Sequence, residues 1–210
     1  MKCIYCFQPI HPKTDWSNVL RPAIDSRLCE DCHNGFEKID QGCPRCCNPR
    51  YQKICPDCDR ESPLLSNTSF LHYNEFAKEW ITRWKYRGDY ELLTSMSAFL
   101  PTFVRGKGVP VPLSEERLDE RGFNQAEAIS RLLMKKTHLC FGRTHSEKQS
   151  KKTKRERLDA PNPFYATTKV QGHILLIDDI YTTGTTMKQA AAVLKENGAT
   201  SVRGLTLFHS

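Results

Sequence analysis

The sequence predicts an α/β fold, a parallel sheet flanked by helices, behind a cysteine-rich N-terminal segment. Nine of the ten cysteines lie within the first 58 of the 210 residues, and the rest of the chain has an ordinary composition. A continuous apolar segment, Ile174 to Ile177, precedes a turn and a helical pattern, and a second apolar segment follows from Val202 to Phe208. A strand–turn–helix–strand order is typical of a parallel sheet, because parallel neighbours need crossover connections.

Composition and charge exclude several classes of protein. Hydrophobic residues make up 39% and charged residues 26% of the chain, which is unlike a disordered protein. Apolar runs such as Ile174 to Ile177 are far shorter than the roughly 20 residues of a membrane span, and the first residues lack the apolar region of a signal peptide. We therefore expect a cytoplasmic protein without a membrane span. The end of the cysteines near Ser62-Pro63 predicts two domains, residues 1–62 and 63–210.

The cysteines in the first domain predict metal binding. Eight of them form Cys-x-x-Cys pairs, which are Cys3/Cys6, Cys29/Cys32, Cys43/Cys46 and Cys55/Cys58. Four thiolates from two such pairs make a closed tetrahedral zinc site, so the pattern predicts a double zinc ribbon with about two structural Zn²⁺ ions. Sequential pairing of the four motifs is one arrangement, an interleaved pairing is the other, and Cys47 could replace Cys46. A redox function is disfavoured, because no strand–CxxC–helix pattern surrounds any pair.

The middle of the chain shows one helical pattern followed by shorter elements. Large apolar residues, among them Trp80 and Trp84, recur at helical spacing, which predicts helix within residues 70–100, broken at Gly88. Residues 109–113, Val-Pro-Val-Pro-Leu, predict a short strand near a loop. A polar loop is expected from Ser114 to Arg121.

The C-terminal part continues with alternating helices and strands. Residues 126–133 carry a helical apolar stripe, and Phe164-Tyr165 predicts a short strand. The apolar strand 174–177 is followed by a helix with Met187 and Leu194 on one face, and Gly198 is positioned to end it. These elements complete the α/β pattern.

The turn after the apolar strand predicts a phosphate site. Residues 182–186, Thr-Thr-Gly-Thr-Thr, place backbone amides and four hydroxyls at a helix N-terminus, where an anion is favoured. Asp178 and Asp179, before the turn, can accept hydrogen bonds from ribose hydroxyls or help to hold a hydrated Mg²⁺. Acids beside a single phosphate cradle fit a ribose 5-phosphate group better than a triphosphate. The alternative is a hydroxyl-capped turn without a ligand.

The net charge of +7 comes mostly from one stretch of the chain. Residues 1–61 contain nine basic and nine acidic residues, whereas Arg143 to Leu158 contains seven basic and two acidic ones. The stretch has no apolar periodicity, which predicts a loop. Such a loop can contact the phosphates of single-stranded DNA, or it can cover an anionic ligand.

Taken in order along the chain, these motifs resemble the ComF/GntX family of competence proteins. The resemblance rests on the four Cys-x-x-Cys pairs, Lys85-Tyr-Arg-Gly-Asp89, Val109-Pro-Val-Pro112, Arg121-Gly-Phe-Asn-Gln125, the basic stretch and Ile177-Asp-Asp-Ile-Tyr-Thr-Thr-Gly184. Residues 174–187 also resemble the phosphoribosyl-pyrophosphate (PRPP) signature of type I phosphoribosyltransferases. The resemblance therefore implies a type I phosphoribosyltransferase-like parallel sheet behind the double zinc ribbon.

The same resemblance implies roles for individual residues. Asp178 and Asp179 would be the catalytic acids and would contact the ribose hydroxyls of PRPP. The 5-phosphate would be bound by Thr182, Thr183, Gly184, Thr185 and Thr186. The pyrophosphate would lie near Arg117, Arg121, Lys148 and Lys151. Nucleic acid would be contacted by Lys151, Lys152, Lys154 and Arg155.

The implied function is a part in DNA uptake during natural transformation. The protein would handle incoming single-stranded DNA in the cytoplasm beside the competence helicase of the same system, with PRPP and Mg²⁺ bound in the second domain. The alternative is an active phosphoribosyltransferase of the nucleobase-salvage type, which transfers ribose 5-phosphate from PRPP to an unknown acceptor. A PRPP sensor that switches an interaction is a third, weaker possibility.

Overall fold

The protein was analysed as a computed structural model that describes residues 1–10, 27–58, 61–102, 104, 106–144 and 162–210. The helices in these residues are α1 (Glu30–Asn34), α2 (Glu75–Tyr86), a 3-10 helix (Tyr90–Ala98), α3 (Glu115–Arg121), α4 (Gln125–Leu133) and α5 (Thr185–Glu196). The strands are β1 (Leu64–His72), β2 (Lys107–Pro110), β3 (Phe141–Arg143), β4 (Phe164–Ala166), β5 (Gly172–Tyr181) and β6 (Ala199–His209). None of the described helices is both long and apolar enough to cross a membrane.

The main sheet has the strand order β1-β6-β5-β2, and every neighbouring pair in it is parallel. The central strand β5 buries Ile174, Leu176 and Ile177, so both of its faces are covered, as its continuous apolar sequence predicts. The strands β3 and β4 form a separate antiparallel pair. The predicted α/β fold, a parallel sheet flanked by helices, is confirmed. Its carboxyl edge brings the ends of β2 and β5 together.

Helices cover the two faces of the sheet. On one face, α5 buries Met187, Ala190 and Leu194 against the sheet. On the other face, α2 and α4 form a second apolar cluster with the sheet, in which Trp80 and Trp84 are completely buried. Both clusters also contain cysteines from the N-terminal segment, and the division into residues 1–62 and 63–210 stays a prediction.

The cysteine-rich segment covers the outer edge of β1. Backbone bonds join Ile39 N to Phe70 O at 2.9 Å and His72 N to Glu37 O at 2.8 Å. Phe36, 5% exposed, inserts its ring among aromatic rings of α2 and β6. An edge strand with free N–H and C=O groups invites pairing with other chains. The N-terminal segment therefore pairs with the side of β1 that has no neighbouring strand in the main sheet.

Several parts of the secondary structure differ from the prediction. Arg143, expected in a loop, lies in β3, and β2 ends at Pro110 and not at Leu113. Residues 70–100 were expected to be helical, but β1 extends to His72 and the second half of the range is a 3-10 helix. The strand is hard to detect because it buries polar residues: the Ser69 and Thr206 hydroxyls lie 2.7 Å apart, and Asn67 Nδ2 donates to Ser69 at 2.9 Å. The expected loop at Ser114 to Arg121 contains helix α3, which buries no residue and so has no apolar stripe to reveal it.

Candidate functional site

The structure gathers eight cysteines into two groups of four. The first cysteine cluster consists of Cys3, Cys6, Cys29 and Cys32, and the second cysteine cluster of Cys43, Cys46, Cys55 and Cys58. Within each cluster all Sγ atoms lie within 4.8 Å of one another. This is the sequential grouping, in which neighbouring Cys-x-x-Cys pairs combine, and not the interleaved one.

The geometry of both clusters fits a tetrahedral zinc ion. A Zn–S bond of about 2.3 Å implies sulfur–sulfur distances of about 3.8 Å in a tetrahedron. The Sγ atoms of Cys6 and Cys29 lie 3.5 Å apart, and those of Cys43 and Cys58 lie 3.8 Å apart, far beyond a disulfide bond. Burial raises the pKa of Cys43, but the N–H groups of Cys46, Cys55 and Arg45 outweigh it and bring the pKa to about 6. The two clusters are therefore compatible with two structural zinc ions.

Cys47 lies outside the second cluster. It directly follows the Cys43/Cys46 pair in a left-handed backbone conformation with φ of +65°, and its thiol donates to Ser69 O at 3.4 Å. Phe7 has the same position after the first Cys-x-x-Cys pair and nearly the same φ, +63°. The residue after each of these pairs turns the chain away, so Cys46 and not Cys47 belongs to the four-sulfur group.

The two adjacent acids at the end of β5 have different environments. Asp179 is 8% exposed and forms an ion pair with Lys85 at the end of α2, where both side chains are largely buried. Asp178 is half-buried, and its carboxylate accepts the N–H of Asp179 at 2.9 Å. Burial raises the pKa of Asp178 to about 7, and the charge of Asp179 acts in the same direction, while Lys85 and Arg143 oppose it. Asp178 is thus the acid whose charge is not matched by a direct ion pair among the described residues.

The turn after β5 leads directly into the N-terminus of α5. Gly184 adopts φ of +74° and precedes the first residue of α5, whose helix begins at Thr185. Thr182, Thr183 and Thr185 are exposed, and the hydroxyls of Thr183 and Thr185 lie 2.9 Å apart. The first amides of a 12-residue helix and several hydroxyls therefore face the same region of solvent.

Arg143 lies close to Asp178 and to two further arginines, Arg117 and Arg121. Burial lowers the pKa of Arg143, the charges of Arg117 and Arg121 lower it further, and Asp178 raises it. The Arg143 guanidinium also lies 5.3 Å from the centre of the Phe164 ring, across the β3–β4 pair. The Nε of Arg121 is buried without a hydrogen-bond partner in the described part of the chain. Such a group of cations is suited to an anion with more than one charge.

Two of the sequence motifs meet at this site. In Lys85-Tyr-Arg-Gly-Asp89, Lys85 pairs with Asp179, and the ring of Tyr86 lies 5.4 Å below the guanidinium of Arg121. In Arg121-Gly-Phe-Asn-Gln125, the buried Gln125 accepts a hydrogen bond from Arg121 at 2.7 Å. Asn124 caps α4 and donates to Val111 O at the end of β2, at 3.1 Å. Contacts from both motifs therefore hold Arg121, and Lys85 of the first motif also holds Asp179.

The structure assigns some residues to the site that the sequence did not single out. Lys85, Gln125 and Arg143 touch or surround the acids and arginines, although only the motif resemblance drew attention to the first two. Their contacts join residues far apart in the chain, so no local pattern announces them. The remaining predicted residues of the basic stretch lie outside the described residues: Lys148, Lys151, Lys152, Lys154 and Arg155.

Comparison with known proteins finds relatives along nearly the whole chain. Residues 118–209 match the family model of the phosphoribosyl transferase domain. The chain is 37% identical to "Competence protein ComFC" of Bacillus subtilis (strain 168), over 99% of this chain and 95% of the relative. It is 33% identical to "Competence protein ComFC" of Streptococcus pneumoniae, over 99% of both chains. It is 26% identical to "DNA utilization protein YhgH" of Escherichia coli (strain K12), over 85% of this chain and 82% of the relative.

We expect the purified protein to contain about two zinc ions per chain, because each four-thiolate cluster closes one tetrahedral site. Cys46→Ser removes one thiolate of the second cluster and should lower the zinc content toward one. Cys47→Ser is the matched control and should keep two ions, because its side chain faces Ser69 O. Elemental analysis measures both, and equal zinc loss in the two variants would contradict the grouping.

The raised pKa of Asp178 predicts a pH-dependent stability. A carboxyl whose folded pKa, about 7, exceeds its ordinary value of 3.8 keeps its proton in the folded state only, so stability falls as the pH rises from about 4 to 7. Asp178→Asn removes this loss. From pH 5 to pH 8, the variant should gain about 1–3 kcal/mol of unfolding free energy relative to wild type, measured by urea denaturation at each pH. Asp40→Asn, at an exposed acid, should gain nothing, and an equal difference at both pH values for Asp178→Asn would refute the assignment.

Proposed function

We propose that this chain, which belongs to the ComF family of competence proteins and carries a phosphoribosyltransferase-like domain, handles single-stranded DNA during natural transformation and binds PRPP. The family supports a competence-related function. The printed names of the relatives, competence and DNA utilization, support work on DNA. The cytoplasm is the proposed location, and the competence helicase of the same system is the proposed partner.

The observation that carries the PRPP proposal is the convergence of three kinds of group at the carboxyl edge of the sheet. The turn at residues 182–186 offers amides and hydroxyls, Asp178 offers a carboxylate, and the arginines offer cations. Ligands of open α/β sheets bind at this edge. A ribose with a phosphate at one end and a pyrophosphate at the other has complementary groups for all three.

The arginines favour a ligand with several negative charges. Arg117 and Arg121 both lower the pKa of Arg143, which means that each of them repels the Arg143 cation in the free protein. A pyrophosphate group between them would relieve this repulsion and would give the buried Nε of Arg121 an acceptor. This supports Arg117 and Arg121, and in addition Arg143, as the pyrophosphate contacts.

The acids support the ribose end of the ligand. Asp178, rather than Asp179, is free to accept hydrogen bonds from ribose hydroxyls, since Asp179 already pairs with Lys85. A hydrated Mg²⁺ bound with PRPP would neutralise the charge of Asp178 and lower its pKa, so that binding would release a proton near neutral pH. The ion pair with Lys85 would keep the Asp179 carboxylate in one position beside the bound ribose.

Transfer of ribose 5-phosphate to an acceptor is the second candidate function. Departure of pyrophosphate leaves positive charge on the ribose, and cations placed on the leaving group stabilise that transition state. The arginines at the proposed pyrophosphate position favour this candidate over PRPP binding without transfer. Release of pyrophosphate on addition of nucleobases to protein and PRPP would establish it, whereas binding without release would restrict the protein to a PRPP-binding function.

An exposed aromatic ring supports contact with single-stranded DNA. The Phe7 ring is 62% exposed, and the guanidinium of Arg83 lies 5.1 Å from its centre on one side. A ring backed by a cation offers its free face to a nucleotide base, and such stacking is independent of sequence. The basic stretch of residues 143–158 would add phosphate contacts through its charge.

PRPP with Mg²⁺ should raise the melting temperature of the wild-type protein, because a ligand that binds only the folded state stabilises it. Arg143→Gln and Asp178→Asn should each weaken PRPP binding by about tenfold or more, since each removes a charge-assisted contact worth about 1.5–3 kcal/mol. Isothermal titration calorimetry measures the affinities. Arg203→Gln, at an exposed arginine of β6, is the control and should bind as wild type does. A wild-type protein without PRPP-dependent stabilisation would refute the proposal.

Single-stranded DNA should bind with a strong dependence on salt. If about four phosphates are contacted, the logarithm of the affinity should fall with the logarithm of the salt concentration at a slope near −3. Lys151→Ala with Lys152→Ala and Lys154→Ala should flatten this slope. Fluorescence anisotropy of a labelled oligonucleotide measures it.

Two controls separate ionic from stacking contacts. Lys135→Ala with Lys136→Ala and Lys169→Ala removes the same charge from exposed positions elsewhere and should leave the slope unchanged. Phe7→Ala should weaken binding at every salt concentration without changing the slope, because base stacking releases no counterions. If the two triple variants behave alike, the basic stretch is not the DNA contact.

A further inference from the structure

Tyr181 lies between the second cysteine cluster and the turn at residues 182–186, which we call the phosphate turn. It is the last residue of β5, directly before Thr182, and it is 6% exposed. The backbone holds it in place, since Ser210 N donates to Tyr181 O at 3.0 Å, and its ring stacks on His209 at a centroid distance of 5.3 Å. The side chain therefore has little freedom to move.

On one side, the ring of Tyr181 supports the phosphate turn. A Cβ added at Gly184 would overlap the Tyr181 Oη and would come 2.5 Å from Cζ. The tip of the ring thus lies directly against the backbone of Gly184, the residue with φ of +74° that precedes α5. This close contact limits how far the Gly184 backbone can move toward the ring of Tyr181.

On the other side, Tyr181 shares a buried apolar cluster with the cysteine-rich segment. Tyr181 belongs to the apolar cluster that contains Cys43, Cys46 and Cys55, with Cys58 against it. Tyr181 therefore lies against the turn and packs in the same buried cluster as the second cysteine cluster.

The first cysteine cluster has a different neighbourhood. Cys3 and Cys32 are buried with Phe36 and Trp80 in the apolar cluster of α2. The first cysteine cluster therefore packs against α2, which carries Lys85 in its last turn, and not against the turn at residues 182–186. The two cysteine clusters therefore support different halves of the candidate site.

We propose that Tyr181 is a positioning residue that transmits the order of the second cysteine cluster to the phosphate turn. Zinc in the second cluster would keep the ring against Gly184, and the turn would keep its amides aligned. Loss of that ion would loosen the turn even where the rest of the fold survives. The consequence for PRPP affinity rests on the proposed function, whereas the consequence for the order of the turn does not.

Amide hydrogen exchange of residues 182–186, followed by mass spectrometry on the ligand-free full chain, tests this proposal. Cys58→Ser, at a half-buried member of the second cluster, should make these amides exchange about tenfold faster or more. Cys6→Ser, at a half-buried member of the first cluster, is the matched control and should not increase the exchange. Tyr181→Leu should increase the exchange as Cys58→Ser does while keeping about two zinc ions, and Tyr181→Phe should restore protection because the ring remains.

Two results would overturn the proposal. Unchanged exchange of the turn in Cys58→Ser is one, and equal increases in Cys58→Ser and Cys6→Ser are the other, because the effect would then be global. If Tyr181→Leu does not fold, the comparison of the two cysteine variants still decides. PRPP titrations of the same proteins should show about tenfold weaker binding in Cys58→Ser and Tyr181→Leu. Absence of PRPP binding in wild type would refute the proposed function but leave the exchange result standing.

Discussion

Two adjacent carboxylates at the end of β5 need charges and hydrogen bonds from the surrounding elements to offset their burial. Removing charged groups from water costs several kcal/mol for each ion unless nearby charges and hydrogen bonds compensate. Asp179 is compensated by Lys85 from α2, whereas the N–H of Asp179 and Arg143 from β3 compensate Asp178 only in part. Three distant segments are thus held to one point of the sheet, which makes the site a property of the whole domain.

The strand–turn–helix unit could be predicted because its information is local. A continuous apolar run, two acids and a Thr-rich turn with one glycine lie within residues 174–187, and each feature has one simple structural meaning. Lys85 and Arg143 could not be placed at the site in this way, since their partners are far away in sequence. Periodicity cannot distinguish a lysine that pairs with Asp179 from a lysine on a solvated helix end.

The sequence was misleading at polar residues that are buried in the structure. Asn67 and Ser69 read as surface residues, yet they are buried in β1 and bonded to each other and to Thr206 on the neighbouring strand. The spacing of the Cys-x-x-Cys pairs predicted two four-sulfur sites, but only the fold could choose the sequential grouping and separate Cys47 from Cys46. Local spacing fixes which thiols can act together, and the tertiary structure decides which ones do.

The position of β6 in the sheet has a consequence for synthesis of the protein. It is a central strand that pairs with β1, and the contact between Asn67 and Thr206 joins residues 139 positions apart. While the ribosome is still making the intervening chain, β1 has no sheet neighbour on its inner side. The cysteine-rich segment has already emerged by then, and its backbone bonds at Ile39 and His72 can occupy the outer side. Early metal capture would therefore halve the edge that a nascent chain exposes to aggregation.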